Sequence, residues 1–236
     1  MRRALLAEGL GAILLTATVI GSGIMAERLA GGNLAVALIA NTGATVAVLA
    51  TLIALLGPIS GAHFNPAVSF IAALRGNLSV RAAIAYAIVQ IIGCVAGAFL
   101  AHAMFELPII QSSVHLRAGP AQWLSEAVAT SGLMLIVIGS TSPKDAAWRV
   151  AAWIGAAYWF TASTSFANPA ITIARTLSNT FAGIAPNNAP AFIVSQLCGA
   201  LVGLVLAKWL QIGTASTPRV DEAEIKPEGP KEGRAC

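Results

Sequence analysis

Ser60-Gly61-Ala62-His63-Phe64-Asn65-Pro66-Ala67-Val68 interrupts an apolar stretch that runs from Leu29 to Leu74 without one Asp, Glu, Lys or Arg. Those 46 residues are too many for one membrane crossing, which needs roughly 20. The interruption opens at Gly57-Pro58 and closes at Asn65-Pro66, among turn-forming residues. Asn is a strong helix N-cap, and Pro is favoured at the first helical position, where no N–H is missed. Asn65-Pro66-Ala67 therefore starts a helix. Pro66–Leu74 holds nine residues, and at about 1.5 Å per residue it spans roughly half a hydrocarbon core.

The same signature returns as Asn168-Pro169-Ala170, and it heads a second short apolar piece, Pro169–Ser178. More of the chain repeats with it. Glu8 precedes Gly21 by 13 positions, as Glu126 precedes Gly139. Gln90, Gly93 and Gly97 return as Gln196, Gly199 and Gly203 with identical spacing. Full-length apolar spans are read at Gly9–Ala26, at the stretch before Gly57, and at Ala82–Ala103, Ala127–Gly139, Ala146–Thr164 and Pro190–Leu210. Each half reads as span, span, broken piece, span. Three spans per half is odd, so the halves insert with opposite orientation. Inverted repeats with broken helices meeting at the midplane belong to transport proteins.

Composition agrees. Of 236 residues, 57% are hydrophobic and 10% charged, against about 45–50% and 25% in soluble domains. That excludes a soluble enzyme and a disordered protein. The net charge of +4 comes from scattered basic residues and does not point to a nucleic-acid partner. Cys94, Cys198 and Cys236 give neither a disulfide framework nor a Cys-x-x-Cys pair. No cofactor or metal is expected, and no nucleophile–base pair suggests an enzyme. Arg2-Arg3 before an apolar run resembles a signal peptide, but no small-residue cleavage site follows it, so a transmembrane helix is preferred. With both ends on one side, that side carries 11 Lys and Arg and the other carries 3, so the termini are expected to be cytoplasmic. One channel domain is expected over 1–212, with repeats at about 4–105 and 122–212, and a disordered tail over 213–236.

Together these features resemble the major intrinsic protein family, the aquaporins and aquaglyceroporins. The resemblance covers 4–212 and rests most on residues 60–68 and on the second Asn-Pro-Ala. It implies an all-α integral membrane bundle of six transmembrane helices and two re-entrant half-helices, assembled as a homotetramer in a bacterial-type plasma membrane. It also implies passive conduction of small neutral solutes, water or glycerol-like polyols. Asn65 and Asn168 would cap the half-helices and offer their NH₂ groups to the solute. Two positive helix ends would repel cations.

The family filters solutes at a ring of four positions. The resemblance carries these onto Thr45, Ala156, Ser165 and Ile171, with a slip to Gly155 or Ala157 left open in the fifth span. The last position is almost always Arg in the family, and here it is Ile171. A ring of Thr, Ala, Ser and Ile is wide and weakly polar. Arg175 lies one turn beyond Ile171 on the same helix face. Two readings stay open for it: a substitute filter charge, or an interfacial anchor. The string Asn168-Pro169-Ala170-Ile171-Thr172-Ile173-Ala174-Arg175 resembles a bacterial branch associated with arsenic resistance, which implies arsenite or methylated arsenicals as solutes. By the same resemblance Glu8 and Glu126 support the re-entrant loops, against an alternative as proton-coupling carboxylates. His63 is read as structural, against a pH-sensing vestibule residue. The rival functions are a proton-coupled transporter and a non-conducting scaffold.

Overall fold

The computed structural model describes residues 1–213; the tail expected from 213 on lies, from Thr214, outside the described residues. Eight α-helices follow in order: α1 (Arg2–Leu29), α2 (Leu34–Ser60), α3 (Pro66–Leu74), α4 (Val80–Met104), α5 (Pro120–Gly139), α6 (Pro143–Phe160), α7 (Pro169–Arg175) and α8 (Ala189–Trp209). The described residues contain no strand. Polar caps set the starts. Asn33 Oδ1 accepts from the N–H groups of Ala35 and Val36 to begin α2. Ser79 Oγ accepts from Ala82 N to begin α4. Pro occupies the first turn of α5, α6 and α8.

The helices are longer than the charge-free runs. α1 and α5 begin before their acidic residues, so Glu8 and Glu126 are the seventh residue of each and are fully buried. α2 continues through Pro58 to Ser60, about one turn of residues that looked like a loop, and stops where Gly61 adopts φ 89° and donates its N–H to Gly57 O. α7 ends at Arg175 rather than Ser178, where the Thr176 and Leu177 N–H groups turn to Ile173 O and Ala174 O, three residues back.

Five helices are long and apolar enough to cross a membrane: α1, α2, α4, α5 and the 186–209 segment containing α8. The expected sixth span, α6, has 18 residues and carries Lys144, Asp145 and Arg149 near its start, where Arg149 pairs with Asp145 at 2.7 Å. α1 packs along α4 and α5 along α8, and α2 meets α6 between the halves. Small residues permit the approach. A Cβ at Gly93 would lie 2.7 Å from Gly9 O, and one at Gly199 would lie 2.7 Å from Ala127 Cα. Helices in lipid associate through this close packing, since burial of apolar surface gives no drive there. Ile88, Ile92, Val202 and Val205 stay exposed on the outer faces of α4 and α8, as a lipid contact requires.

Candidate functional site

A cavity of about 350 Å³ runs through the bundle between α1, α2, α5 and α6, past the re-entrant segments before α3 and α7. It shares Gly61, His63, Val68 and Val137 with a second space of about 630 Å³ that reaches Arg75, Asn77 and Gly213. At about 30 Å³ per water, the first holds on the order of ten waters.

The cavity wall begins with the two buried carboxylates. Glu8 Oε1 accepts from Ser60 Oγ (2.6 Å) and His63 N (3.0 Å), and Oε2 from Phe64 N (2.7 Å) and Gln90 Nε2 (2.8 Å). Glu126 accepts from Phe166 N (2.8 Å), Ala167 N (2.9 Å) and Gln196 Nε2 (2.6 Å). Each Gln also donates to a hydroxyl on its half-helix, Ser69 or Thr172. In a trans peptide, N–H and the preceding C=O point opposite ways. Drawing the 63, 64, 166 and 167 N–H groups toward carboxylates therefore turns the carbonyls of Ala62, His63, Ser165 and Phe166 the other way. All four residues line the cavity, so each loop presents a short row of acceptors to it. The geometry needs left-handed backbone at Ala62, Phe64, Ser165 and Ala167, with φ of 48–50°. Such non-glycine residues cost of order 1–3 kcal/mol each, and the buried carboxylates offset that.

At the centre the two signatures interlock. Asn65 Oδ1 accepts from Ala67 N at 2.9 Å, and Asn168 Oδ1 from Ala170 N and Ile171 N at 3.0 and 3.3 Å. Each NH₂ group crosses to the other half: Asn65 Nδ2 donates to Ala167 O (2.7 Å) and Asn168 Nδ2 to Phe64 O (2.8 Å). An amide NH₂ has two protons, so one per Asn remains for a solute, where the sequence reading had offered both.

At the end away from the second space, Thr45, Tyr158, Ser165, Ile171 and Arg175 line the cavity. Thr45 Oγ1 lies 3.4 Å from Tyr158 OH, and Ser165 Oγ has no partner among the described residues. Ala156 does not belong to this ring. It is exposed, and α6 turns Val150, Ile154 and Tyr158 to the cavity at intervals of four. Gly155 and Ala157 do not line it either. Arg175 is 4% exposed, buried inside the bundle. Its Nε donates to Ala182 O, its Cζ lies 3.3 Å from the centre of the Phe166 ring, and neither Nη has a recorded acceptor among the described residues. His63 sits where the two spaces meet, with Nδ1 3.0 Å from Ser69 Oγ and its ring edge-on to Tyr86.

Sequence reasoning missed Tyr158, Phe166 and Arg117. The i, i+4 row Val150, Ile154, Tyr158 was a signal for the first. Nothing local marks Arg117, in the connector before α5. There, burial lowers the Arg117 guanidinium from its ordinary value, and the nearby Glu126 and Tyr158 oppose that shift.

Comparison with known proteins agrees with this architecture. The chain is 52% identical over 212 residues to aquaglyceroporin AqpS of Rhizobium meliloti (strain 1021), covering 89% of this chain and 91% of that one. Its fold matches the X-ray structure of the aquaglyceroporin from Plasmodium falciparum with a TM-score of 0.65 at 17% identity, over 87% of this chain and 95% of that one. A profile described as major intrinsic protein matches residues 1–159. The chain is therefore a multi-pass membrane protein of the major intrinsic protein family, whose aquaglyceroporins are channels rather than enzymes.

Proposed function

We propose that the chain is a passive transmembrane channel for water and glycerol-sized neutral polyols. The observation that carries this is the lumen lining, in which the residues of both acceptor rows and both Asn donors are joined by apolar Leu15, Val19, Leu49 and Ile53. A polyol has one hydroxylated edge and one C–H edge, and such a wall meets both. The name of the 52% identical relative, an aquaglyceroporin, supports the same reading.

Thr45, Tyr158, Ser165 and Ile171 form the filter, with Arg175 supplying the charge from one turn beyond the usual place. The hydroxyls of the first three take the place of water around a solute, and the free Nη groups of Arg175 repel cations. Neutral As(OH)₃, with three hydroxyls, fits the same wall as glycerol, and it extends the solute range to arsenite and methylated arsenicals. Cytoplasmic termini follow from the Lys and Arg asymmetry, and four copies with one pore each from the family likeness.

A proton-coupled transporter is the second reading. Against it, every oxygen of Glu8 and Glu126 accepts from a backbone, Ser60 or Gln donor, which ties both carboxylates to the re-entrant loops. Stopped-flow light scattering on proteoliposomes, with water, glycerol and As(OH)₃ compared and no proton gradient imposed, tests both. Downhill flux of glycerol is expected. Strict dependence on a proton gradient, or exclusion of glycerol with water passing, overturns the proposal.

A further inference from the structure

Arg117 lies in the connector between α4 and α5, yet its guanidinium reaches backbone on two other segments. Nε donates to Gly183 O at 2.8 Å, Nη1 to Ser163 O at 3.4 Å and Nη2 to Phe181 O at 3.3 Å. Its own backbone N–H donates to Asn188 Oδ1 at 3.0 Å. Its Cζ stands 5.2 Å from the centre of the Phe166 ring, the ring that also carries Arg175.

The placement is specific. Among the described residues Arg175 makes one hydrogen bond, from Nε to Ala182 O. Arg117 holds the carbonyls on either side of that one, Phe181 and Gly183. It also holds Ser163, two residues before the filter hydroxyl of Ser165. Arg175 lines the cavity and Arg117 does not. One guanidinium thus faces the solute, and the other fixes the backbone and ring that aim it.

We propose that Arg117 is a positioning residue of the filter, holding the 181–183 backbone and Phe166 so that Arg175 stays against the lumen wall. This rests on the reading of Arg175 as part of the filter. The planar fork of an arginine suits three carbonyls in different directions, whereas a lysine presents a single compact charge. Without Arg117 the Ala182 carbonyl is no longer fixed. The Arg175 side chain, whose Nη groups have no partner among the described residues, then swings into the lumen, where it obstructs a three-carbon solute more than water.

The test is a double-mutant cycle with Arg117→Ala and Arg175→Met, read as the ratio of glycerol to water permeability in proteoliposomes. A ratio is independent of how much protein inserts, so a general folding defect does not move it. Arg117→Ala is expected to lower the ratio by about threefold or more, the low end for coupled groups in one network. In the Arg175→Met background the same substitution is expected to leave it unchanged. If Arg117→Ala does not reach the membrane, Arg117→Lys goes through the same cycle, with a smaller shift in the same direction. An equal shift in both backgrounds, or no shift in either, overturns the inference while leaving the filter intact. No effect of Arg175→Met alone overturns the filter reading of Arg175, and this inference with it.

Discussion

Glu126→Gln separates a carboxylate that builds a wall from one that carries a proton. The wild-type side chain accepts from Phe166 N, Ala167 N and Gln196 Nε2. A Gln offers one oxygen and one NH₂. If the NH₂ faces Ala167, Gln196 can flip, because its own Oε1 has no partner among the described residues; the Ala167 N–H loses its acceptor and Gln196 gives up its bond to Thr172 Oγ1. If the NH₂ faces Phe166, that N–H is orphaned instead. Either way one buried backbone donor is left unmade, at about 1–3 kcal/mol, and the surviving bonds fall from charge-assisted to neutral strength, about 1 kcal/mol each. The sum is roughly 3–5 kcal/mol, concentrated on a loop with left-handed Ser165 and Ala167. Thermal unfolding in detergent should show a clear loss of stability, with glycerol and water flux both reduced in proportion to surviving protein. Glu126→Ala, which orphans two backbone N–H groups, should be worse. Unchanged stability with flux abolished is the refuting result, since it would mean that the carboxylate handles a proton and does not hold the loop.

Other perturbations give equally direct readouts. Asn168→Asp keeps the cap on Ala170 but sets an anionic oxygen against Phe64 O in place of a donor; glycerol flux should collapse in correctly inserted protein, and unchanged flux would remove Asn168 from the conduction path. Ile171→Arg adds a long charged side chain to the lumen beside Arg175, so glycerol and arsenite flux should fall much more than water flux; an equal fall in all three would place Ile171 away from the constriction. Gly93→Val forces branched carbon into space bounded by Gly9 O at 2.7 Å and Ala12 Cβ at 2.9 Å; overpacking of about 1–3 kcal/mol should lower the yield of inserted protein, and wild-type yield and thermal stability would show that α1 and α4 do not meet there.

The fold was legible because its determinants are local. Asn-Pro-Ala starts a helix by its own chemistry, charge-free runs mark spans, and the repeat sets their order. Glu8 and Glu126 were placed at the right depth only once the helices were seen to begin before the apolar runs. The proposed filter was less legible. Thr45, Ser165 and Ile171 were located by counting from the signatures, and all line the cavity. The same count failed at Ala156, because the rotation of α6 depends on its packing against α2, which a distance from Asn168 does not encode. Arg117 was beyond reach for a related reason. Its partners at 163, 181 and 183 are 46 to 66 positions away, and carbonyls carry no sequence signature.

The two halves share a scaffold and differ in what they show the lumen. In each, a buried Glu holds two loop N–H groups, a Gln links that Glu to a half-helix hydroxyl, and an Asn caps its own helix while bonding the opposite loop. Counted from its Asn, Ser165 stands where Ala62 does, Ile171 where Val68 does and Arg175 where Ala72 does. A hydroxyl and a guanidinium therefore exist on one side only. A buried guanidinium needs acceptors, and the second half has them because the 176–188 segment folds back to bring Ala182 O to Arg175, and the connector before α5 brings Arg117 to the carbonyls beside it. The symmetric frame sets the path through the membrane. In the proposed filter, selectivity arises where two segments outside the helices break that symmetry, so substitutions in the frame should change how much passes, and substitutions at the filter should change what passes.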